Sequence, residues 1–306
     1  MFPERSTAAA LLLLSVSAAG AAAGPIEDAA LARIAALTKT FQGTVVLHAR
    51  NLRTGATLSV DAEAKVRTAS TIKLPILCAL EALVAKGDVR WDERIVLRDA
   101  AKVSGSGVLH ELADGTALTM RDLARLMIVV SDNTATNLIL DRITADAVNA
   151  WLDTVGLTAT RSLRKIRGDG TDLVAASGWS AAGKAPANER YGIGVSTSRE
   201  MVRLLEMLHE GTVVSPAASL SVLETLERQQ FKDGIGRRAG DRRVQSKSGA
   251  LDALRSDVGI IYTPGGPIAM AITVDGMPVI DYSPDNAGNE LIWQMSQIVQ
   301  DALGRP

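Results

Sequence analysis

Two strand-like runs stand near the start of the chain, Gly43–Ala49 and Ala56–Val60, joined by a turn signal around Asn51 to Gly55. The runs that resemble them come at the far end: Val244–Ser248, Val258–Thr263 and Ile268–Val274. A two-stranded hairpin cannot bury its own apolar face in water, so the early pair has to close onto the late three. That requirement predicts an α+β fold (an α/β sandwich) with one antiparallel five-stranded sheet. Helices read at Ile26–Thr40 and Glu290–Leu303 would cover it, and everything between would form an all-helical subdomain. With no repeat and no linker rich in Pro, Gly or Ser, residues 25–306 read as a single domain. Residues 25–61 and 216–306 form its sheet part and residues 62–215 its helical part.

The helical block has legible punctuation. Thr119-Met-Arg-Asp122 and Thr197-Ser-Arg-Glu200 are capping boxes, each ahead of an apolar periodic run, and Ser215-Pro216 opens a helix with proline at its favoured first position. Helices are expected from about Met120 to Val130, Thr134 to Ile143 and Ala145 to Val155, the last closed by Gly156. Arg161 to Tyr191 lacks periodicity and reads as a long irregular loop, a class of segment that is usually functional. Upstream, Leu77, Leu80, Leu83 and Val84 recur at helical spacing and Gly87 is a natural stop. Pro75 is tolerable only in a first turn, so a helix is expected to start close to Ser70 and to bury one face.

Ser70 then sits at a helix mouth, with Lys73 one turn on and on the same face. A serine hydroxyl becomes nucleophilic when a neighbouring base takes its proton, and a lysine can be that base if burial or a nearby cation lowers its pKa. Ser131-Asp132-Asn133 falls at a helix-to-helix junction, where Ser131 can relay a proton and Asn133 can hydrogen-bond a substrate amide. By itself the triplet is an ordinary N-cap. Lys247-Ser248-Gly249 lies on a late strand, a cation and a hydroxyl suited to an anionic group beside a glycine that permits close approach; by itself it is an edge strand.

Taken in this order, the three motifs resemble those of the penicillin-recognising serine enzymes, and the chain resembles the class A β-lactamases over nearly its whole length after the leader. The resemblance implies an acyl-enzyme on Ser70, with protons managed by Lys73 and Ser131. It implies a substrate carboxylate held by Lys247 and Ser248, an acylamido contact to Asn133, and an oxyanion hole from the backbone N–H groups of Ser70 and Ala250. The substrate would be a β-lactam or a cell-wall peptide-like amide, with no cofactor; a penicillin-binding or D-Ala-type peptidase, or an esterase, would use the same acylation machinery.

Two departures stand out. Class A enzymes carry a deacylating glutamate in an E-x-x-L-N pattern on the long loop, and this chain has no glutamate between Glu111 and Glu189. Asp169, Asp172 and Glu189 are the loop carboxylates, and Glu189 is taken as the candidate base. The arginine that often precedes the glycine of the following strand is replaced by Val258, leaving Arg255, read as lying in the intervening turn, as the candidate substitute.

Composition narrows the partners. The formal net charge of -1 gives no electrostatic reason to expect nucleic acid. Residues 1–24 have Arg5, an apolar run too short to span a bilayer and a small-residue tract, the layout of a signal peptide. A secreted, periplasmic monomer without stable membrane insertion is therefore expected. Cys78 is the single cysteine and reads as a small buried hydrophobe, and His48, His110 and His209 have no metal spacing, so no metal is expected.

Overall fold

The computed structural model describes residues 24–168 and 173–306; the leader up to residue 23, with Asp169 and Asp172, lies outside the described residues. In chain order, α1 (Pro25–Thr38) precedes the hairpin β1 (Thr44–Asn51) and β2 (Thr57–Val60). A short strand β3 (Val66–Arg67) and a 3-10 turn (Ala69–Ile72) then lead into α2 (Lys73–Lys86). The helical block follows: β4 (Arg94–Val96), β5 (Ala117–Thr119), α3 (Met120–Val129), α4 (Asn133–Ile143) and α5 (Ala145–Thr154). After β6 (Arg161–Ser162) comes the long loop, ending at β7 (Gly194–Ser196), and then α6 (Ser198–His209) and α7 (Pro216–Glu227). The chain closes with β8 (Val244–Leu251), β9 (Leu254–Thr263), β10 (Gly266–Asp275) and α8 (Ala287–Leu303).

The main sheet runs β2-β1-β10-β9-β8, every pair antiparallel, so the early hairpin does join the late strands, through β1 against β10. Its central strands are apolar on both faces, as a sheet covered on both sides requires. Ile268, Met270, Ile272 and Val274 pack into one core with α1 and α8. Ala269 and Ala271 alternate with them and face a second core with α6 and the helical block. α7 places Val222, Leu223 and Leu226 in that second core, so in packing terms the helical part extends past the boundary expected at residue 216.

α2 is the axis of the helical block. It was expected to bury one face, but every residue from Lys73 to Ala82 is buried, because helices surround it. Its composition fits that position, apolar all round apart from Lys73 and Glu81. Cys78 sits inside it, fully buried, and burial pushes its thiol up, out of the nucleophilic range. Of the two capping boxes, the first is complete, Thr119 and Asp122 each accepting the other's backbone N–H. The second is half made: Thr197 accepts from Glu200 N, but the Glu200 carboxylate is diverted to Ala159 N at 2.8 Å and Thr160 Oγ1 at 2.6 Å.

A small sheet, β3-β7-β6, was not legible beforehand because its strands are two or three residues long. It has a positional role. Pairing of Arg161 with Val195 and Ser162 with Gly194 pins the two ends of the long loop together, and pairing of Val66 with Ser196 ties both to the strand that runs into Ser70. Between those ends the loop is irregular, with one 3-10 segment at Pro186–Tyr191, as expected.

Candidate active site

Ser70 lies in the 3-10 turn ahead of α2, and Ala69, immediately before it, is held at φ 46°, a left-handed conformation that costs a non-glycine residue energy. β8 packs against this turn so closely that a Cβ on Gly249 would stand 2.9 Å from Thr68 O and 3.0 Å from Ser70 N. Gly249 thus permits an approach of strand to nucleophile backbone, which sets Ala250 beside Ser70 on the wall of one cavity of about 320 Å³. Ser131, Asn133 and Ser248 line the same cavity.

Behind Ser70 the polar side chains form one network. Lys73 Nζ donates to Ser131 O at 2.6 Å and Asn133 Oδ1 at 2.9 Å, and lies 3.1 Å from Ser131 Oγ. Lys247 Nζ also lies 3.1 Å from Ser131 Oγ and donates to Ser248 O at 2.7 Å. One hydroxyl therefore bridges two lysines, both fully buried. Ser131 reaches that point from a left-handed backbone, φ 55°, the second such non-glycine residue at the site. Burial drives the Lys73 ammonium well below the usual lysine range, the neighbouring charge of Lys247 lowers it further, and Asp132 opposes both. Burial also pulls Lys247 down, to about 7, against the attraction of Asp257. A neutral Lys73 beside a serine is a proton acceptor in place.

These motifs converge as they do in a known group of proteins. The sequence matches the beta-lactamase enzyme family over residues 29–303. The chain belongs to that family. A β-lactamase structure from Sphaerobacter thermophilus shares 31% identity with a TM-score of 0.77, covering 90% of this chain and 97% of the other. PBP-A, a mutant of which has been solved as an acyl-enzyme complex with penicillin G, shares 26% identity with a TM-score of 0.73 over 90% of this chain and 95% of its own. Among curated proteins, β-lactamase L2 of Stenotrophomonas maltophilia is 31% identical over 51% of this chain, and the match spans only about half, 52%, of L2 itself. The β-lactamase regulatory protein BlaB of Streptomyces cacaoi is 24% identical over 83% of this chain and 91% of its own length.

Within the family frame, two side chains that the sequence left unremarked hold the site together. Asp132, fully buried, caps α4 through Ala135 N at 2.8 Å and also accepts from Val108 N at 2.7 Å and Leu109 N at 2.9 Å. Gly107 is required there, since a Cβ would meet Asp132 Oδ2 at 2.3 Å. Gln229 offers a single oxygen to Ser248 N at 2.7 Å, Ser248 Oγ at 3.1 Å and Lys247 Nζ at 3.3 Å. It follows α7 with no motif around it, so no local pattern points to it. Asn133, expected to meet an amide, has its Nδ2 donated to Ser104 O at 3.1 Å, which fastens the glycine-rich segment to α4.

The structure does not bring Glu189 into this group. It is exposed on the 3-10 segment Pro186–Tyr191 and does not line the cavity. The long loop instead lines the cavity with Ile166 and Gly168. Ile166 is clamped through its backbone by Asn137 of α4, which donates to Ile166 O at 2.7 Å and accepts from Ile166 N at 2.8 Å. Arg255 is on β9, opposite Ala250, rather than in a turn, because the β8–β9 connection is only Asp252-Ala253. It lines the cavity, but its guanidinium donates to Leu251 O and Leu254 O at 2.6 Å and to Asp281 O, and lies over the Tyr282 ring.

Proposed function

We propose that this protein is an exported serine hydrolase, periplasmic and monomeric, that opens β-lactam amides through an acyl-enzyme on Ser70 and releases the product slowly. The observation that carries the reading is Ser131 Oγ held 3.1 Å from both Lys73 and Lys247 on the wall of the cavity that Ser70 lines. Neutral Lys73 takes the Ser70 hydroxyl proton as Ser70 Oγ bonds to the lactam carbonyl carbon. The developing oxyanion faces the Ser70 and Ala250 backbone N–H groups. As the C–N bond breaks, the departing nitrogen takes the Ser131 hydroxyl proton, and Ser131 recovers one from the lysine ammonium beside it. Asn133, Lys247, Ser248 and Gly249 form the wall against which the substrate is oriented.

Hydrolysis of the ester then needs a water and a base. Where the family pattern has its glutamate, the described part of the loop gives Ile166 to the cavity, and no glutamate is among the residues lining it. That supports slow deacylation, and the PBP-A acyl-enzyme with penicillin G is a relative in which the ester was observed. The same relative favours a second reading, a penicillin-binding or D-Ala-type peptidase that β-lactams label. Export rests on the signal-like leader of residues 1–24. Intact-protein mass spectrometry with a chromogenic cephalosporin tests the acylation: a covalent adduct is expected on the wild type and none on Ser70→Ala. No adduct on the wild type would overturn it.

A further inference from the structure

Beyond Ser248 the cavity runs into an end whose charge is opposite to what a carboxylate-bearing substrate needs. Asp257 stands on β9 directly across from Ser248, so the two side chains share a face of the sheet. It is 1% exposed and lies in the cavity wall together with Asp233, Gly234 and Ser248. Its Oδ2 accepts from Ile235 N at 2.9 Å, while Oδ1 has no hydrogen-bond partner among the described residues. Gly234 covers it, close enough that a Cβ would stand 2.5 Å from Oδ2.

The charged groups around Asp257 do not cancel it. On β8, Lys247 is drawn down to about 7 and is committed to Ser131, Gln229 and Ser248. In the segment after α7, Lys232 is partly buried and lowered, and Asp233 adds a second carboxylate. On β9, Arg255 is bound to backbone carbonyls. From α8 the cavity receives only Asn289 and Ile292, among the described residues. Glu290 of that helix is paired with Arg237.

Resting on the β-lactam-opening reading above, we propose that Asp257 is a specificity-determining residue. Its negative charge beneath the cavity wall beside Ser248 favours substrates presenting a neutral or cationic N–H group there over those presenting a free carboxylate. It acts through its field, which a water-poor surrounding screens weakly, and no direct contact is required. Burial raises the Asp257 carboxyl to about 6, so the discrimination is present above that pH and fades below it as Asp257 becomes neutral. Lys247, gaining its proton near 7, changes in the same direction, so a pH profile of the wild type contains both groups and the substitution separates them.

The test measures Ser70 acylation with three probes differing only at this point: penicillin G, its methyl ester and its 2-aminoethyl amide. At about pH 7.5 the wild type is expected to acylate with the amine-bearing amide fastest and the carboxylate slowest. Asp257→Asn, which keeps an acceptor for Ile235 N, is expected to raise the carboxylate-to-ester rate ratio about tenfold at that pH and to match the wild type near pH 5. A carboxylate that outpaces both other probes on the wild type overturns the proposal without any variant, and so does an unchanged ratio in Asp257→Asn. Labelling by the ester with the wrong order leaves the β-lactam reading standing. Labelling by none of the three removes that reading, and this one with it.

Discussion

Lys73 has the sharpest prediction at the scale of a residue. Its amine must be neutral to accept the Ser70 proton, and burial with the adjacent Lys247 keeps it so far below the usual lysine range. A base with a depressed pKa is lost as pH falls through that pKa, so the acylation rate constant should be flat at higher pH and drop on the acid side. Lys73→Ala should slow acylation by roughly 10²-fold or more, measured as the rate of cephalosporin adduct formation. A variant within about threefold of wild type would move the base elsewhere in the network, to Ser131. Much of this was legible beforehand, because Ser70 and Lys73 are one helical turn apart and their relation is local. Gln229 was not, because its role comes from a strand folding back beside it, and Asp257 was not, because β9 register sets its place against Ser248.

At the scale of elements, the site depends on how loops are fastened to helices. Asp132 satisfies three backbone N–H groups that nothing else is in place to accept, one at the start of α4 and two in the segment that walls the cavity. Leaving buried donors unpaired costs about 1–3 kcal/mol each. Asp132→Ala should therefore lose about 3 kcal/mol or more and lower Tm by roughly 6–12 °C, read by calorimetry. A loss below about 1 kcal/mol would mean that water replaces the carboxylate. The long loop is fastened in the same way by Asn137 to Ile166 and by β6 and β7 at its ends. Its irregular character was readable from the absence of periodicity, but not its path, since two-residue strands leave no pattern. Glu189 shows the consequence: sequence order put it near the motifs, while the pinned loop carries it to the surface. Ile166→Glu would set a carboxylate in the cavity wall, and is expected to shorten the acyl-enzyme lifetime by about tenfold or more with chromogenic substrate. An unchanged lifetime would show that this wall does not face the attacking water.

Over the whole molecule, the sheet closes the two ends of the chain around a helical block, and the catalytic residues lie where the two parts meet: Ser70 and Lys73 from α2, Ser131 and Asn133 from the α3–α4 junction, Lys247 and Ser248 from β8. The architecture was readable because strands of one kind had to find each other across the helices, and because β9 and β10 are apolar enough to be covered on both faces. The central claim is that this arrangement completes acylation but supplies deacylation poorly. Stopped-flow mixing with excess chromogenic cephalosporin, quenched at matched times for intact-protein mass, measures both steps at once. The account predicts a burst of about one cephalosporin per Ser70, then a slower steady phase during which most of the protein carries the adduct. Steady turnover of hundreds per second with no burst and no accumulating adduct would contradict it.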